Sequence, residues 1–386
     1  MHLTERFEDL PDYAFPRLRA LLDVHPPGGA PLSMSIGEPR QAVPDWIAAD
    51  IAAQAPDFAR YPPNEGTPAL RAAIASWLGR RYGVAVDPET RICSLNGTRE
   101  GLFSAMLALC PEGAGVLVPN PFYQAYAAGA LAAGAQPVYV PATAETDFLP
   151  DYAALAPEVL DRVAVAWICS PSNPQGAVAD RGYWRDLIAL AERHDFLILA
   201  DECYSEIYRG TPPPGALEMA AEAGADPERV LVFHSLSKRS SLPGLRSGFV
   251  AGGARGIAAI RRLRAYAGAP VPLPLQHASA RLWSDEAHVE AVRARYAEAF
   301  AVAEDVLGDV VPVPRAGFFL WVPKDDGEAA ALALWRRAGV RVLPGAYLGR
   351  AVAGDNPGAA YVRAALVGGV DEVRRGLTAI RQTFFE

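Results

Sequence analysis

From position 91 to position 252 the chain alternates short, strongly apolar runs with stretches of helical spacing. RICSL (91–95), the start of GVLVPNPFY (115–123), PVYVPA (137–142), VAVAWIC from 163, FLILA from 196, VLVFHS (230–235) and RSGFVAG (246–252) read as strands. GLFSAMLALC (101–110), 124–133 and 181–194 read as helices between them. Nearly continuous apolar strands are buried on both faces, and strands alternating with helices build a mostly parallel sheet covered on both sides. The predicted fold class is therefore α/β. Ligands in such sheets gather where strands end and loops begin.

On either side of this region the pattern changes. Residues 13–24 carry Phe15, Leu18, Leu21 and Leu22 at helical spacing and stop at the breaker PPGGAP. LSMSIGEP (32–39) ends in Gly37, Glu38 and Pro39, a backbone that turns close to something. Helices are predicted over 44–55 and about 67–81, with Tyr61 in the tight loop between them. The proline-rich stretch 268–276 breaks the rhythm. A long helix over about 285–307 then leads to a strand GFFLWVP, a helix EAAALALWRRAG, strands VRVLPG and YVRAALV, and a closing helix over 371–385. The expected division is a large domain over 46–284 and a small α+β domain built from 1–45 and 285–386.

Bulk properties exclude several classes. With 51% hydrophobic and 21% charged residues the chain is globular rather than disordered. Its formal net charge of −8 argues against general binding of nucleic acid or anionic membranes. No apolar run approaches the ~20 residues needed to span a bilayer, and MHLTERFEDL lacks the apolar core of a secretory leader. Four scattered cysteines (Cys93, Cys110, Cys169, Cys203) form no C-x-x-C, which fits reduced thiols in the cytoplasm. The six histidines stand singly, so no metal site is expected, and no P-loop, dinucleotide, G-x-S-x-G or H-E-x-x-H motif is present.

Of the 36 basic residues only Lys238 and Lys324 are lysine. An arginine cannot give up its proton, whereas a lysine amine can, and can then attack a carbonyl. Lys238 sits in FHSLSKRSSLPGLRSGFV beside Ser235, Ser237, Ser240 and Ser241, with Arg246 eight positions on. A nucleophilic amine beside hydroxyls and a guanidinium is what a carbonyl compound carrying a phosphate requires, and pyridoxal phosphate is the common ligand of that description, although taken alone a polar surface loop with an ordinary solvated lysine fits as well. Gly97, Thr98 and Arg99 open a helix after a strand, a place for phosphate, although taken alone a plain cap by Asn96 or Thr98 is the better account. Asp201 ends an apolar strand. Buried there it needs a cation, such as a protonated pyridine nitrogen, or it is simply the cap of a following helix. Asn173 and Tyr204 lie at neighbouring strand ends and could bond the ring's phenolic oxygen. Tyr123 could stack on a flat ring or pack in the core. Arg363, inside YVRAALV, suits a substrate carboxylate or a structural ion pair.

SIGEP (35–39), Y-x-x-x-x-G (61–66), NGTRE (96–100), NPFYQAY, SPSNPQG, DECYSEIY, SLSKRSSLPGLRSGF and YVRAALV, in this order, make the chain similar to the fold-type-I pyridoxal-phosphate aminotransferases of class I/II. The resemblance implies that Lys238 carries the cofactor covalently, that Asp201 partners its ring nitrogen, and that Asn173 and Tyr204 bond its phenolic oxygen. Tyr123 then stacks on the ring. Thr98, Ser235, Ser237 and Arg246, with the backbone of Gly97 to Arg99, hold the phosphate. Gly37, Asn173 and Arg363 meet the substrate. Tyr61 matches a tyrosine that reaches the neighbouring subunit's phosphate, so a homodimer is implied. The loop Asn173-Pro174-Gln175-Gly176 departs from the family's usual Asn-Pro-Thr-Gly or Asn-Pro-His-Gly. FHSLSKRSSLPGLRSGFVAG, NGTREGLF, LWSDEAHVE and VLPGAYLGR further resemble the proteobacterial N-succinyl-L,L-diaminopimelate aminotransferases of lysine biosynthesis. A β-lyase, another aminotransferase (aspartate, alanine or kynurenine type) and a non-catalytic regulator of the same fold are the alternatives. A distal cation at Arg40 or Arg99 is expected to select a long acceptor.

Overall fold

The computed structural model describes Phe7, Leu10 and residues 13–386. Apart from Phe7 and Leu10, the segment MHLTERFEDL lies outside the described residues. Seven strands form the main sheet, in the spatial order Ile92–Leu95, Gly248–Gly252, Val230–Ser235, Leu197–Asp201, Val163–Cys169, Gly115–Asn120, Gln136–Pro141. Gly248–Gly252 runs antiparallel to both neighbours and every other pair is parallel, as the apolar runs lead one to expect. Successive side chains along a strand point to opposite faces. Cys93, Val116, Val118, Trp167, Leu199 and Phe233 accordingly enter one core, and Ile92, Leu117, Ile168, Ile198, Val230 and Val232 the other. Each fully buried large apolar side chain of this kind contributes about 1.5–3 kcal/mol.

The first of those cores continues into Tyr296, Phe300, Phe318, Phe319 and Val362, so the carboxy-terminal elements pack on the same face. There Leu343–Pro344, Tyr361–Ala365 and Phe319–Pro323 form an antiparallel sheet. Leu32–Ser33 pairs in parallel with Val340–Arg341, which ties the beginning of the chain to its end. The helix Ala14–Leu22 buries Ala14, Leu18 and Leu22 against Trp321, Trp335 and Tyr347.

Three expectations need correction. The proline-rich stretch 268–276 does not stay irregular, because the helix Leu273–Ser284 starts inside it; Pro272 occupies the cap and Pro274 the first turn, where a missing N–H costs nothing. The long helix spans Ala287–Leu307, two residues shorter at its start. VRVLPG is not one strand: Val340–Arg341 and Leu343–Pro344 pair in different sheets. Among the described residues no helix is long and apolar enough to cross a membrane. No group of His, Cys, Asp or Glu among them could hold a metal.

Candidate functional site

Val230–Ser235 ends at Ser235, whose hydroxyl accepts from the Ser237 N–H (3.1 Å) and so caps the one-turn helix Leu236–Arg239. That turn presents Lys238 at the carboxyl ends of the parallel strands. Its Nζ donates to the Gly37 carbonyl and lies 5.4 Å from the centre of the Phe318 ring. Burial pulls the amine down from 10.5 to about 8. An ordinary solvated lysine would not show this, so Lys238 is poised to lose its proton near neutrality.

Asp201 is the last residue of the neighbouring strand, beside Cys169 and Phe233. No helix follows it, so it caps none. It is 4% exposed; Tyr126 Oη donates to Oδ2 at 2.8 Å and the Cys203 N–H to Oδ1 at 3.2 Å. Burial pushes its carboxyl up, and these donors pull it back. Two further lone-pair positions face no charged partner among the described residues, which is the situation of a carboxylate shaped to receive a cation.

Gly97 caps the helix Thr98–Leu109 with φ of +73°, and no side chain caps that helix. Its first N–H groups are thus left for a ligand, against the plain-cap alternative. A Cβ at position 97 would run into the Arg246 guanidinium, so backbone and guanidinium close on one spot. Arg246 donates to the carbonyls of Pro243 (2.9 Å) and Asn96 (3.0 Å). Ser235 Oγ donates to Ser237 Oγ at 2.8 Å, and Thr98 Oγ1 lies 3.1 Å from Cys203 Sγ.

Arg363 is 4% exposed and meets no carboxylate among the described residues, which removes the ion-pair alternative there. Nη1 donates to Asn173 Oδ1 (2.6 Å) and Nη2 to the Ser35 carbonyl (2.7 Å); Nε has no partner, and the guanidinium lies 4.2 Å from the Phe319 ring centre. Burial lowers it to about 10, still charged at neutral pH. Because Asn173 spends its oxygen on Arg363, its amide N–H groups remain as donors. Tyr204 is buried edge-on against Phe318 and Phe319, and burial raises its phenol.

Tyr123 accepts from Arg99 Nε at 2.7 Å and packs edge-on against Tyr126. Tyr61 is fully exposed at 101% and no contact joins it to this cluster. Of the two distal candidates, Arg40 is engaged by Glu372 at 3.4 Å on the surface. Lys238, Arg99, Arg246 and Arg363 have one property in common: each bonds only to uncharged acceptors among the described residues. Sequence reasoning missed Tyr126, Tyr13, Phe318 and Phe319. For Tyr126 a signal existed, its spacing of three from Tyr123 at the start of the helix Ala125–Ala132.

Residues 31–380 match the family described as aminotransferase class I and II. Over 393 residues the chain is 33% identical to an LL-diaminopimelate aminotransferase of Dehalococcoides mccartyi, covering 98% of each. It is similar to the solved structure of an aminotransferase from Neisseria meningitidis, with 36% identity and a TM-score of 0.94 over 99% of this chain and 100% of that one. A probable N-succinyldiaminopimelate aminotransferase from Thermus thermophilus is 26% identical, with a TM-score of 0.86 over 96% of this chain and 100% of that one.

Proposed function

The chain belongs to the class I and II aminotransferases, and from that premise we propose that it moves an amino group between glutamate and the succinylated 2-oxo acid of the N-succinyl-L,L-diaminopimelate couple. Like its family it uses pyridoxal phosphate. The observation that carries the chemistry of this reading is that an amine over Phe318, brought to about 8, and a buried guanidinium over Phe319 without an anion stand near the end of the adjoining strand, where a buried carboxylate has no cation. The amine suits the carbonyl, Asp201 the ring nitrogen and Arg363 a substrate α-carboxylate.

The residues fit the cofactor. Thr98, Ser235, Ser237, Arg246 and the backbone of Gly97 to Arg99 would hold its phosphate, Asn173 and Tyr204 its phenolic oxygen, and Tyr123 its ring face. When bound, it supplies the carbonyl carbon that accepts the amino group and a ring that takes up the electron pair released at the substrate's α-carbon. Lys238, once free, would be the base that takes the proton from that carbon and delivers it to the carbon that has accepted the amino group. Asp201, buried and supplied with two donors, would pair as a carboxylate with the protonated ring nitrogen and so favour its charged form. Arg363 fixes the α-carboxylate through its remaining N–H groups, and Gly37 and Asn173 border the same substrate. Phe318 and Phe319 keep water from the amine and the guanidinium.

We further take 46–284 as the cofactor domain and 1–45 with 285–386 as the smaller one. Tyr61, exposed in a single chain, would serve the neighbouring subunit of a homodimer. Four free cysteines suit the cytoplasm.

A second reading, an acceptor without the succinyl group, is favoured by the Dehalococcoides relative. Half-reaction spectra of the purified protein with glutamate, alanine, aspartate and L,L-diaminopimelate, free and succinylated, separate the two. Conversion by glutamate and by the succinylated donor alone supports our reading. Equal conversion by the free donor favours the second, and no conversion by any amino acid removes both.

A further inference from the structure

Arg99 follows directly on the phosphate-binding turn, yet its side chain is given to two phenols. Nε donates to Tyr123 Oη at 2.7 Å and Nη2 to Tyr13 Oη at 3.3 Å, and these are its bonds among the described residues. The phenols come from separate parts of the chain. Tyr123 lies in the loop after Gly115–Asn120, and Tyr13 precedes the helix Ala14–Leu22. Tyr123 stands at the site already described, edge-on against the Tyr126 ring whose hydroxyl donates to Asp201.

A guanidinium carries five N–H groups. Two go to the phenols, from Nε and from Nη2. The remaining three include one on Nη2 and both on Nη1, which form the end-on fork that takes a carboxylate through two parallel bonds. We propose that Arg99, held in this orientation by Tyr13 and Tyr123, binds a second carboxylate at the far end of a substrate whose α-carboxylate sits on Arg363. The proposal rests on the aminotransferase reading and narrows it to long-armed dicarboxylic amino and 2-oxo acids. Arg363 cannot discriminate, because every amino acid brings an α-carboxylate. Arg40 is occupied by Glu372. Two neutral phenols add no negative charge beside Arg99, so a distal ammonium finds no counter-charge from this trio.

The test titrates the holoenzyme calorimetrically with pimelate and with its monoamide, neither of which can react. Wild type is expected to prefer pimelate by roughly 10- to 100-fold, the worth of a charged two-bond contact. Arg99→Gln should abolish that preference, and Tyr13→Phe, which only loosens the fork, should narrow it several-fold. The same ratio is expected in kcat/KM for 2-oxopimelate over its distal amide. A wild-type protein that binds both ligands equally overturns the proposal, as does an Arg99→Gln variant that keeps the preference or weakens both ligands alike. Should Arg99→Gln fail to fold, an undiminished preference in Tyr13→Phe overturns it. The underlying reading fails separately, if wild type exchanges no amino group with glutamate.

Discussion

A single titration decides what the site can do at neutral pH. The Lys238 amine titrates at about 8 in the folded chain because it is buried, against 10.5 when free. Only the unprotonated amine attacks a carbonyl, so covalent capture of pyridoxal phosphate by the apoenzyme should accelerate as pH rises through about 8 and then level off. A rate that keeps climbing towards 10.5 in stopped-flow absorbance would contradict the shift. The sign for stability is the same: between about 8 and 10.5 the unfolded chain holds the extra proton, so this group makes stability rise with pH across that window. Tyr126 offers the second residue-level outcome. Its hydroxyl is one of two donors to Asp201, while its ring stacks on Trp167 at 4.7 Å. Tyr126→Phe keeps the stack and removes a hydrogen bond to a charged group, worth about 1.5–3 kcal/mol. The Asp201 carboxyl should then hold its proton more tightly, and equilibrium dialysis should show cofactor binding weakened by roughly tenfold or more.

Among the elements, the turn before Thr98–Leu109 is the most constrained. Gly97→Ala adds a side chain in the left-handed region, at about 1–2 kcal/mol, and drives its Cβ into Arg246. Thermal unfolding of the apoenzyme should shift down by that cost, and inorganic phosphate should protect the variant less than wild type. Unchanged protection would mean that the turn does not hold phosphate. Elements of this sheet were legible because apolar runs such as VAVAWIC leave few choices. The helix Leu273–Ser284 was not, since prolines that start a helix look like prolines that prevent one. Within the site, Lys238 stood out by its rarity and Asp201 by ending an apolar strand. Tyr126 reaches Asp201 across 75 residues, and Tyr13 reaches Arg99 across 86. Contacts of that span depend on how the chain returns, which spacing along it does not encode.

At the scale of the whole molecule, the fully exposed Tyr61 marks where a second copy of the chain would complete the site. In a homodimer of the proposed kind, Tyr61→Ala and Lys238→Ala would damage different halves of each site. Mixing the two inactive variants should restore up to about a quarter of wild-type activity, since statistical exchange makes half the dimers hybrid and each hybrid has one intact site. No recovery, with exchange shown by mass spectrometry, would mean that each site is built within one chain. The charge pattern carries a further consequence. The protein has a net charge of −8, yet its site gathers Lys238, Arg99, Arg246 and Arg363, none of which forms an ion pair with a carboxylate among the described residues. An anion approaching such a body is repelled at long range and captured only near the mouth, where the local field has the opposite sign. Ionic strength then acts on the encounter in two directions: added salt relaxes the outer repulsion and also weakens the inner attraction, with a screening length that falls from ~30 Å at 0.01 M to ~10 Å at 0.1 M. The association rate of a dianionic acceptor should therefore pass through a maximum as potassium chloride is raised, and a neutral ester of the same acceptor should show none.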